Sequence, residues 1–175
     1  MVVPVGMGSG SRNFNRGSNL GTPESKRGPA RLLAFKLGAK TPFPMPRVIV
    51  PDVPRPAAQT FSAEVIKTGA ELYRKDFCAG CHAPEADGSG AWAMDDAIPD
   101  LRYMPPSAHL QWNAIVMKGI RARNGMPGFE NPPSFPIVTK KMTQQEANAI
   151  HAYVIDLQWK AFNADQERLK ASTKR

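Results

Sequence analysis

Cysteine is scarce in this chain: 175 residues contain two, Cys78 and Cys81. A structural zinc site needs four ligands, usually with a second cysteine pair or a pair of histidines. Away from the cysteines only His109 and His151 remain, each standing singly, and both are predicted to be surface or internally hydrogen-bonded residues. The scarcity argues against a zinc domain, and a disulfide across so short a loop would add little stability.

Long apolar runs are missing as well. No run approaches the roughly 18 apolar residues of a membrane-spanning helix, so we expect no transmembrane segment. The N-terminal stretch MVVPVGMGSG has neither a basic segment nor an apolar segment of the length that signal peptides need. If the protein is exported, its signal is expected upstream of this sequence.

The chain also lacks the pattern of a nucleic-acid-binding protein, in spite of a net charge of +8. Residues 1–60 contain nine Lys or Arg and two acidic residues, a net charge of +7, whereas the remainder carries +1. The basic residues are scattered, and neither an aromatic platform for single strands nor a recognition-helix pattern accompanies them. We therefore expect no nucleic-acid partner.

The first 60 residues divide into two segments without helical periodicity. Residues 1–41 contain two short apolar stretches, Val2–Val5 and Leu32–Leu37, which predict two β-strands joined by a long loop. Residues 42–57 contain six prolines, which fix the backbone φ angle and remove hydrogen-bond donors. The segment 42–60 is therefore predicted to be an extended, semi-rigid linker.

Residues 61–162 predict a mostly α-helical domain, with helices over Ala63–Lys75, Ala108–Lys118 and Gln144–Phe162. Ser62 is the expected N-cap of the first helix, and a T-x-x-E capping box at Thr143 opens the third. Gly69 costs about 1 kcal/mol inside a helix, and a glycine at such a position usually allows another backbone to come close. The polar residues 163–175 are predicted to form a frayed tail.

The two cysteines and the next residue form the pentapeptide Cys78-Ala79-Gly80-Cys81-His82. A thioredoxin-type redox pair would start a helix after a strand in a βαβ unit, whereas this motif follows a predicted helix. C-x-x-C-H is the pattern of covalent attachment of one c-type haem. Each thiol can add to one haem vinyl group, and His82 can then bind the iron.

A second iron ligand is expected from a methionine, because Met/His ligation raises the haem potential and suits electron transfer. Met126 is the predicted ligand, since it lies in a loop rich in Gly and Pro, 44 residues after His82. Met104 is the next candidate. The methionines assigned to packing, or too close to His82 in sequence to reach its opposite face, are Met117, Met142 and Met94.

Haem also needs an apolar wall and hydrogen-bond partners for its propionates. Pro99 and Leu101 are predicted to line the side of His82, with the Pro99 carbonyl accepting the second imidazole N–H. The candidate donors to the propionates are Arg102, Trp112 and Tyr103, each with an ordinary surface or core role as the alternative.

Residues 63–160 resemble a class I cytochrome c domain, which implies three to five helices around one haem. AEVIKTGAELY is similar to the first helix of that family, with Gly69 and Tyr73 where it crosses the last helix. CAGCH is similar to the haem site, IPDLRY to the proximal loop, NGMPGF to the distal methionine loop and MTQQEANAIHAYV to the closing helix. Phe129, which ends the methionine loop, is also predicted to contact the haem.

More narrowly, PDLRY, the pattern W-x-x-I-V-x-x-G and the GMPGF loop resemble the C-terminal cytochrome of quinohaemoprotein alcohol dehydrogenases, which use pyrroloquinoline quinone (PQQ). Residues 1–41 are similar to the last strands of the quinoprotein β-propeller, and the proline run to the linker that follows it. PQQ, calcium and the catalytic carboxylate would then belong to an upstream domain or a partner subunit. Two departures are Ala83, where the family often has glycine, and a long segment from Phe129 to Met142.

The resemblance implies an electron-transfer module without a catalytic residue of its own. It would accept electrons from a PQQ dehydrogenase domain or subunit and pass them to a downstream cytochrome, a copper protein or a quinone. Because c-type cytochromes are matured there, we expect the bacterial periplasm. Two alternatives stay open: a free-standing soluble periplasmic cytochrome c with a disordered N-terminal arm, and a haem enzyme or gas sensor whose iron Met126 does not bind.

Overall fold

Most of the described chain is helical. A computed structural model describes residues 2–5, 31–40, 52–76, 78–88, 98–132 and 141–173. Five α-helices follow two short strands, in the order β1 (Val2–Val5), β2 (Arg31–Ala34), α1 (Ala63–Lys75), α2 (Cys78–His82), α3 (Pro106–Leu110), α4 (Trp112–Val116) and α5 (Gln144–Thr173). Short 3-10 helices occupy Leu101–Tyr103 and Ala122–Asn124. In the ranges that the structure describes, every helix is too short or too polar to cross a membrane.

The two strands form an antiparallel pair in which Val2 lies opposite Ala34 and Val5 opposite Arg31. The second strand is shorter than the predicted Leu32–Leu37, because the chain turns after Ala34 and the Ala39 amide donates to the Lys36 carbonyl. Whether this pair is the end of a propeller, as the resemblance implies, stays a prediction.

Helix α1 has the predicted bounds. The Ser62 hydroxyl accepts a hydrogen bond from the Val65 amide at 3.4 Å and so caps the first turn. Two residues of the helix, Gly69 and Tyr73, are buried. The buried positions lie four residues apart, which places them on one face of the helix.

That face of α1 crosses α5 at Gly69, as expected from the sequence. A Cβ atom on Gly69 would lie 1.9 Å from the Ala149 carbonyl oxygen, so only glycine allows the two backbones to approach this closely. One turn further along, the rings of Tyr73 and Tyr153 pack edge to face with centroids 5.3 Å apart. The crossing is the centre of the core.

The predicted helix over Ala108–Lys118 is wrong in its continuity. The structure has two helices there, α3 and α4, which are separated at Gln111 and begin at Pro106, a residue suited to a first helical turn. On either side of the break, Leu110 is exposed to solvent and Trp112 is buried in the core. The indole N–H of Trp112 donates to the Ala147 carbonyl of α5 at 2.9 Å.

Helix α5 begins at the predicted capping box. The Thr143 amide donates to the Glu146 carboxylate at 2.7 Å, and the Glu146 amide donates to the Thr143 hydroxyl at 3.2 Å. The predicted end at Phe162 and the frayed tail are wrong, because the helix continues to Thr173. Asp165 explains the difference: it is buried in this last part of the helix, although its sequence context is polar.

The end of the linker packs against this extended helix. Residues 52–60 have no regular secondary structure, and the Val53 amide donates to the Asp165 carboxylate at 3.1 Å. The Trp159 indole donates to the Ala57 carbonyl at 2.9 Å. Val53 is itself buried. These contacts give Asp165 and Trp159 hydrogen-bond partners in the linker and so hold the linker against the C-terminal half of α5. Residues 42–51 lie outside the described ranges.

Candidate haem-binding site

The C-x-x-C-H motif forms a short helix, α2, immediately after α1. Cys78 and Cys81 are unpaired and partly exposed, and they lie within one turn of this helix. Burial raises the pKa of Cys78 to about 12, with the charge of Asp76 contributing, and burial also raises the pKa of Cys81. At neutral pH both are therefore protonated thiols.

His82 is buried at the end of α2, with one of its two ring nitrogens already engaged. Its Nδ1 lies 3.0 Å from the Pro99 carbonyl oxygen, which is the contact expected from the sequence. Because a carbonyl can only accept, Nδ1 carries the proton and Nε2 keeps its lone pair. Burial lowers the pKa of His82 below its usual value, although the Pro99 contact opposes the shift. The neutral imidazole at neutral pH is the state that binds iron.

A tight turn after His82 brings Pro99 back to it. The Gly88 amide donates to the His82 carbonyl at 3.0 Å, and the Leu101 amide donates to the Ala86 carbonyl at 2.7 Å. Ala83 and Ala86 have positive φ angles of 65° and 58°, where glycine is the usual residue. Ala83 is thus the departure noted in the sequence, at a position where the backbone itself favours glycine.

Met126 lies in a loop that is hydrogen-bonded to the C-terminal end of α4. The amides of Phe129 and Glu130 donate to the carbonyls of Val116 and Met117 at 2.9 and 3.1 Å. Gly119 and Gly128 touch through their backbones, since a Cβ on Gly119 would lie 2.7 Å from the Gly128 nitrogen. These contacts fix both ends of the loop.

Five of the predicted haem contacts belong to one apolar core or pack on it. Cys78, Leu101 and Met126 are partly buried and pack against a buried cluster that includes Trp112 and Phe129. Three other methionines are buried within the cluster: Met104, Met117 and Met142. Met117 and Met142, for which the sequence predicts a packing role, are both buried, while Met94 lies outside the described residues. Among the methionines of the described ranges, Met126 is the one that is partly exposed.

The candidate propionate donors have other partners in the structure. Arg102 forms a bidentate ion pair with Asp100, with N–O distances of 3.0 Å from Nε and 2.9 Å from a terminal nitrogen. Trp112 gives its one N–H to Ala147, which leaves none for a propionate. Tyr103 is partly buried beside them.

Sequence reasoning missed two tyrosines near the motif. The Tyr153 hydroxyl donates to the Pro84 carbonyl at 2.9 Å and so ties the turn after His82 to α5. The Tyr73 hydroxyl is buried and has no hydrogen-bond partner within the described ranges. Burial raises the Tyr73 pKa, and the neighbouring Cys78 adds to the shift. No pattern in the sequence marks either hydroxyl, because the positions of both tyrosines depend on the crossing of α1 and α5.

Comparison with known proteins agrees with this geometry. The family model described as cytochrome c matches residues 66–158, more than half of the chain. The chain belongs to the cytochrome c family. Its curated relatives include lupanine 17-hydroxylase [cytochrome c] from Pseudomonas sp, which is 29% identical over 174 residues, or 98% of this chain and 22% of the relative.

Two alcohol dehydrogenases of Pseudomonas putida are also similar to this cytochrome c. Quinohemoprotein alcohol dehydrogenase ADH IIB is 27% identical over 165 residues, covering 94% of this chain and 21% of the relative. A solved structure of quinohemoprotein alcohol dehydrogenase ADHIIG from strain HK5 is 32% identical, covers 76% of this chain and 18% of that protein, and has a TM-score of 0.49. The chain thus spans about a fifth of the length of the curated relatives it matches.

A cytochrome c domain implies covalently bound haem c, and the residues of the site fit that group. Two unpaired thiols and a neutral imidazole share one helical turn, and the imidazole has its Nδ1 held by a carbonyl. This is the usual arrangement of a histidine ligand, in which a carbonyl orients the ring and raises its basicity. The buried hydroxyl of Tyr73 beside Cys78 adds a donor that an attached group can meet.

Proposed function

We propose that this cytochrome c domain is an electron-transfer module that holds one haem c. The observation that carries the proposal is the motif helix α2, in which two unpaired thiols precede an imidazole held by Pro99. Haem c, when bound, supplies a one-electron iron couple. Cys78 and Cys81 would hold the porphyrin as thioethers, and His82 and Met126 would bind the iron.

The surrounding residues of the chain would exclude water and orient the ligands. Leu101 and Phe129 supply apolar surface: Phe129 belongs to the buried cluster, and Leu101 packs against it. Pro99 keeps the proton of His82 on Nδ1 and so leaves Nε2 to bind iron. A methionine as second ligand favours the reduced form and raises the potential, which suits electron transfer more than ligand binding.

We propose a PQQ dehydrogenase domain or subunit as the electron donor. Two observations support it: the relatives include quinohemoprotein alcohol dehydrogenases, and the chain spans about a fifth of their length. The haem domain carries little net charge, because the basic excess of the chain is in residues 1–60. Weak long-range steering favours a donor that is attached or held by local contacts. A downstream cytochrome, a copper protein or a quinone would take the electrons, in the bacterial periplasm.

The proposal is tested by a reduced absorption spectrum before and after denaturation in alkaline pyridine. The protein is produced in cells competent for cytochrome maturation. Covalent attachment through two cysteines predicts that haem stays with the unfolded polypeptide and shows the signature of two saturated vinyl groups. Haem that extracts, or a chain that carries none, would overturn the proposal. A Cys78→Ala variant should show one unsaturated vinyl group.

Limited proteolysis tests the donor against the free-standing alternative. If a dehydrogenase holds the N-terminal segment, residues 1–40 should be protected only when that dehydrogenase is present. Cleavage throughout residues 1–51, with and without the dehydrogenase, would support a free-standing cytochrome. The packing of residues 52–60 on α5 already predicts that cleavage stops before Asp52.

A further inference from the structure

The two histidines that the haem does not use form a hydrogen-bonded pair. The Nδ1 of His109, on α3, lies 2.9 Å from the Nε2 of His151, on α5. The Nε2 of His109 lies 2.8 Å from the Oε1 of Gln158, and the Nε2 of Gln158 donates to the Met104 carbonyl at 2.8 Å. Both imidazoles are partly buried, so they are not the surface residues that the sequence left open as one possibility.

The direction of every proton in this network follows from Met104. A carbonyl can only accept, so Gln158 presents its NH₂ to Met104 and its oxygen to His109. His109 therefore donates from Nε2 and accepts at Nδ1, and His151 donates from its Nε2. The network is complete when both imidazoles are neutral. An added proton on Nδ1 of His109 would set two N–H groups against each other at 2.9 Å, and the contact would then require His151 to move its proton from Nε2 to Nδ1.

Burial favours this neutral state. It lowers the pKa of His109, and it lowers the pKa of His151 to about 4, with the charge of His109 as the second cause. The two imidazole rings stack on each other, and His109 also contacts the Gln158 amide of α5. The Trp112 ring of α4 stacks on His151 with centroids 4.4 Å apart. No carboxylate of the described residues contributes to either shift.

The network and the Met126 loop share one support, the short helix α4. At its start, Trp112 stacks on His151 and donates to Ala147, which fastens the helix to α5. At its end, the carbonyls of Val116 and Met117 accept from the amides of the Met126 loop. Because α4 has five residues, a displacement at its start reaches its end through little more than one turn.

We propose that His109, His151 and Gln158 are positioning residues that hold α3 and α4 on α5 and thereby keep Met126 in place to bind iron. The proposal rests on the proposed function, in which Met126 is an axial ligand. An imidazole with a lowered folded-state pKa is protonated first in the unfolded chain, so this network loses stability as the pH falls from about 6.5 to about 4. Loss of Met126 ligation is expected in the same pH window.

An acid titration of the oxidised holoprotein, with two readouts, tests this inference. The weak far-red absorption band of ferric haem with a thioether ligand reports Met126. The indole N–H signal of Trp112 in an NMR spectrum, assigned by its disappearance in Trp112→Phe, reports α4. We expect both to change together between about pH 6.5 and 4. The double variant His109→Gln/His151→Gln removes both titrating rings together with their contacts. Its far-red band should therefore be weaker at pH 7, and the acid midpoint of the band that remains should fall by at least one pH unit.

The control is Leu110→Gln, an exposed neighbour on α3 whose titration should match that of the original protein. Coincident midpoints in the double variant and the original protein would overturn the proposal. If the double variant does not fold, His151→Gln alone serves, since it leaves one titrating ring and should move the midpoint in the same direction. If the far-red band is missing at pH 7 in the original protein, the assignment of Met126 fails, whatever Trp112 shows. A band that persists while the Trp112 signal changes overturns only the link between the network and the loop.

Discussion

The His82 side and the Met126 side of the site are held in different ways. His82 follows the two cysteines on one helix, and its partner Pro99 lies 17 residues later in the sequence. Met126 has no local motif to fix it: its loop depends on α4, on two glycines that touch, and through α4 on α5. The first side is local in sequence and the second is tertiary, so changes to packing should affect Met126 ligation before they affect haem attachment.

The largest effect on stability is expected from Gly69→Ala, which should disturb the His82 side and the Met126 side together. Gly69→Ala places a Cβ 1.9 Å from the Ala149 carbonyl oxygen and must separate α1 from α5. We expect the free energy of unfolding to fall by about 4 kcal/mol. Chemical denaturation of the holoprotein measures it, with Thr68→Ala, an exposed neighbour, expected to change by less than about 0.5 kcal/mol. Similar values for both variants would mean that the crossing is looser than described.

A smaller effect should separate the two sides. Gly119→Ala combines a φ angle of +68° with a Cβ 2.7 Å from the Gly128 nitrogen, and we expect a loss of about 3 kcal/mol together with weakened Met126 ligation. Gly125→Ala is the matched control, because its φ angle is +93° but nothing lies within 4 Å of its Cβ. Backbone strain alone should cost it about 1 kcal/mol.

The denaturation midpoint and the far-red band measure both effects. Haem attachment, read from the denatured spectrum, should be unchanged in Gly119→Ala and Gly125→Ala. Equal losses in the two variants would show that the contact between Gly119 and Gly128 does not support the loop. Loss of attached haem would show that the two sides are not separable.

The smallest effect concerns the turn on the His82 side. In Ala83→Gly, relief of left-handed strain favours the variant by about 1–2 kcal/mol. The greater freedom of glycine in the unfolded chain opposes it by about 0.4–1 kcal/mol, and the loss of a buried methyl group by about 0.8 kcal/mol. The net change measured by denaturation should stay below about 1 kcal/mol. A gain above about 2 kcal/mol would mean that the strain at Ala83 is larger than this geometry implies.

The features that were predicted correctly from the sequence are those that depend on short local patterns. The bounds of α1, the capping box of α5, the contact between His82 and Pro99 and the close approach at Gly69 all follow from residue type at a fixed spacing. The identity of Met126 as a ligand remains a prediction, because Met104 shares its chemistry and the choice depends on the tertiary structure.

What sequence reasoning missed depends on distant partners. The break at Gln111 is set by the need to bury Trp112 against α5, and nothing in the local helical pattern marks it. The length of α5 depends on Val53, more than a hundred residues away, whose amide binds Asp165. The pairing of His109 with His151 likewise requires α3 to dock on α5. Each is a single long-range contact that outweighs local propensity.

Oxidised absorption spectra of two variants test whether His82 and Met126 are the two iron ligands. Met126→Leu and Met104→Leu each remove one thioether with little change in side-chain volume, so both should fold. We predict that the far-red thioether band disappears in Met126→Leu and stays in Met104→Leu. A band that survives in Met126→Leu would contradict the account, and its loss in Met104→Leu instead would transfer the ligand role to Met104.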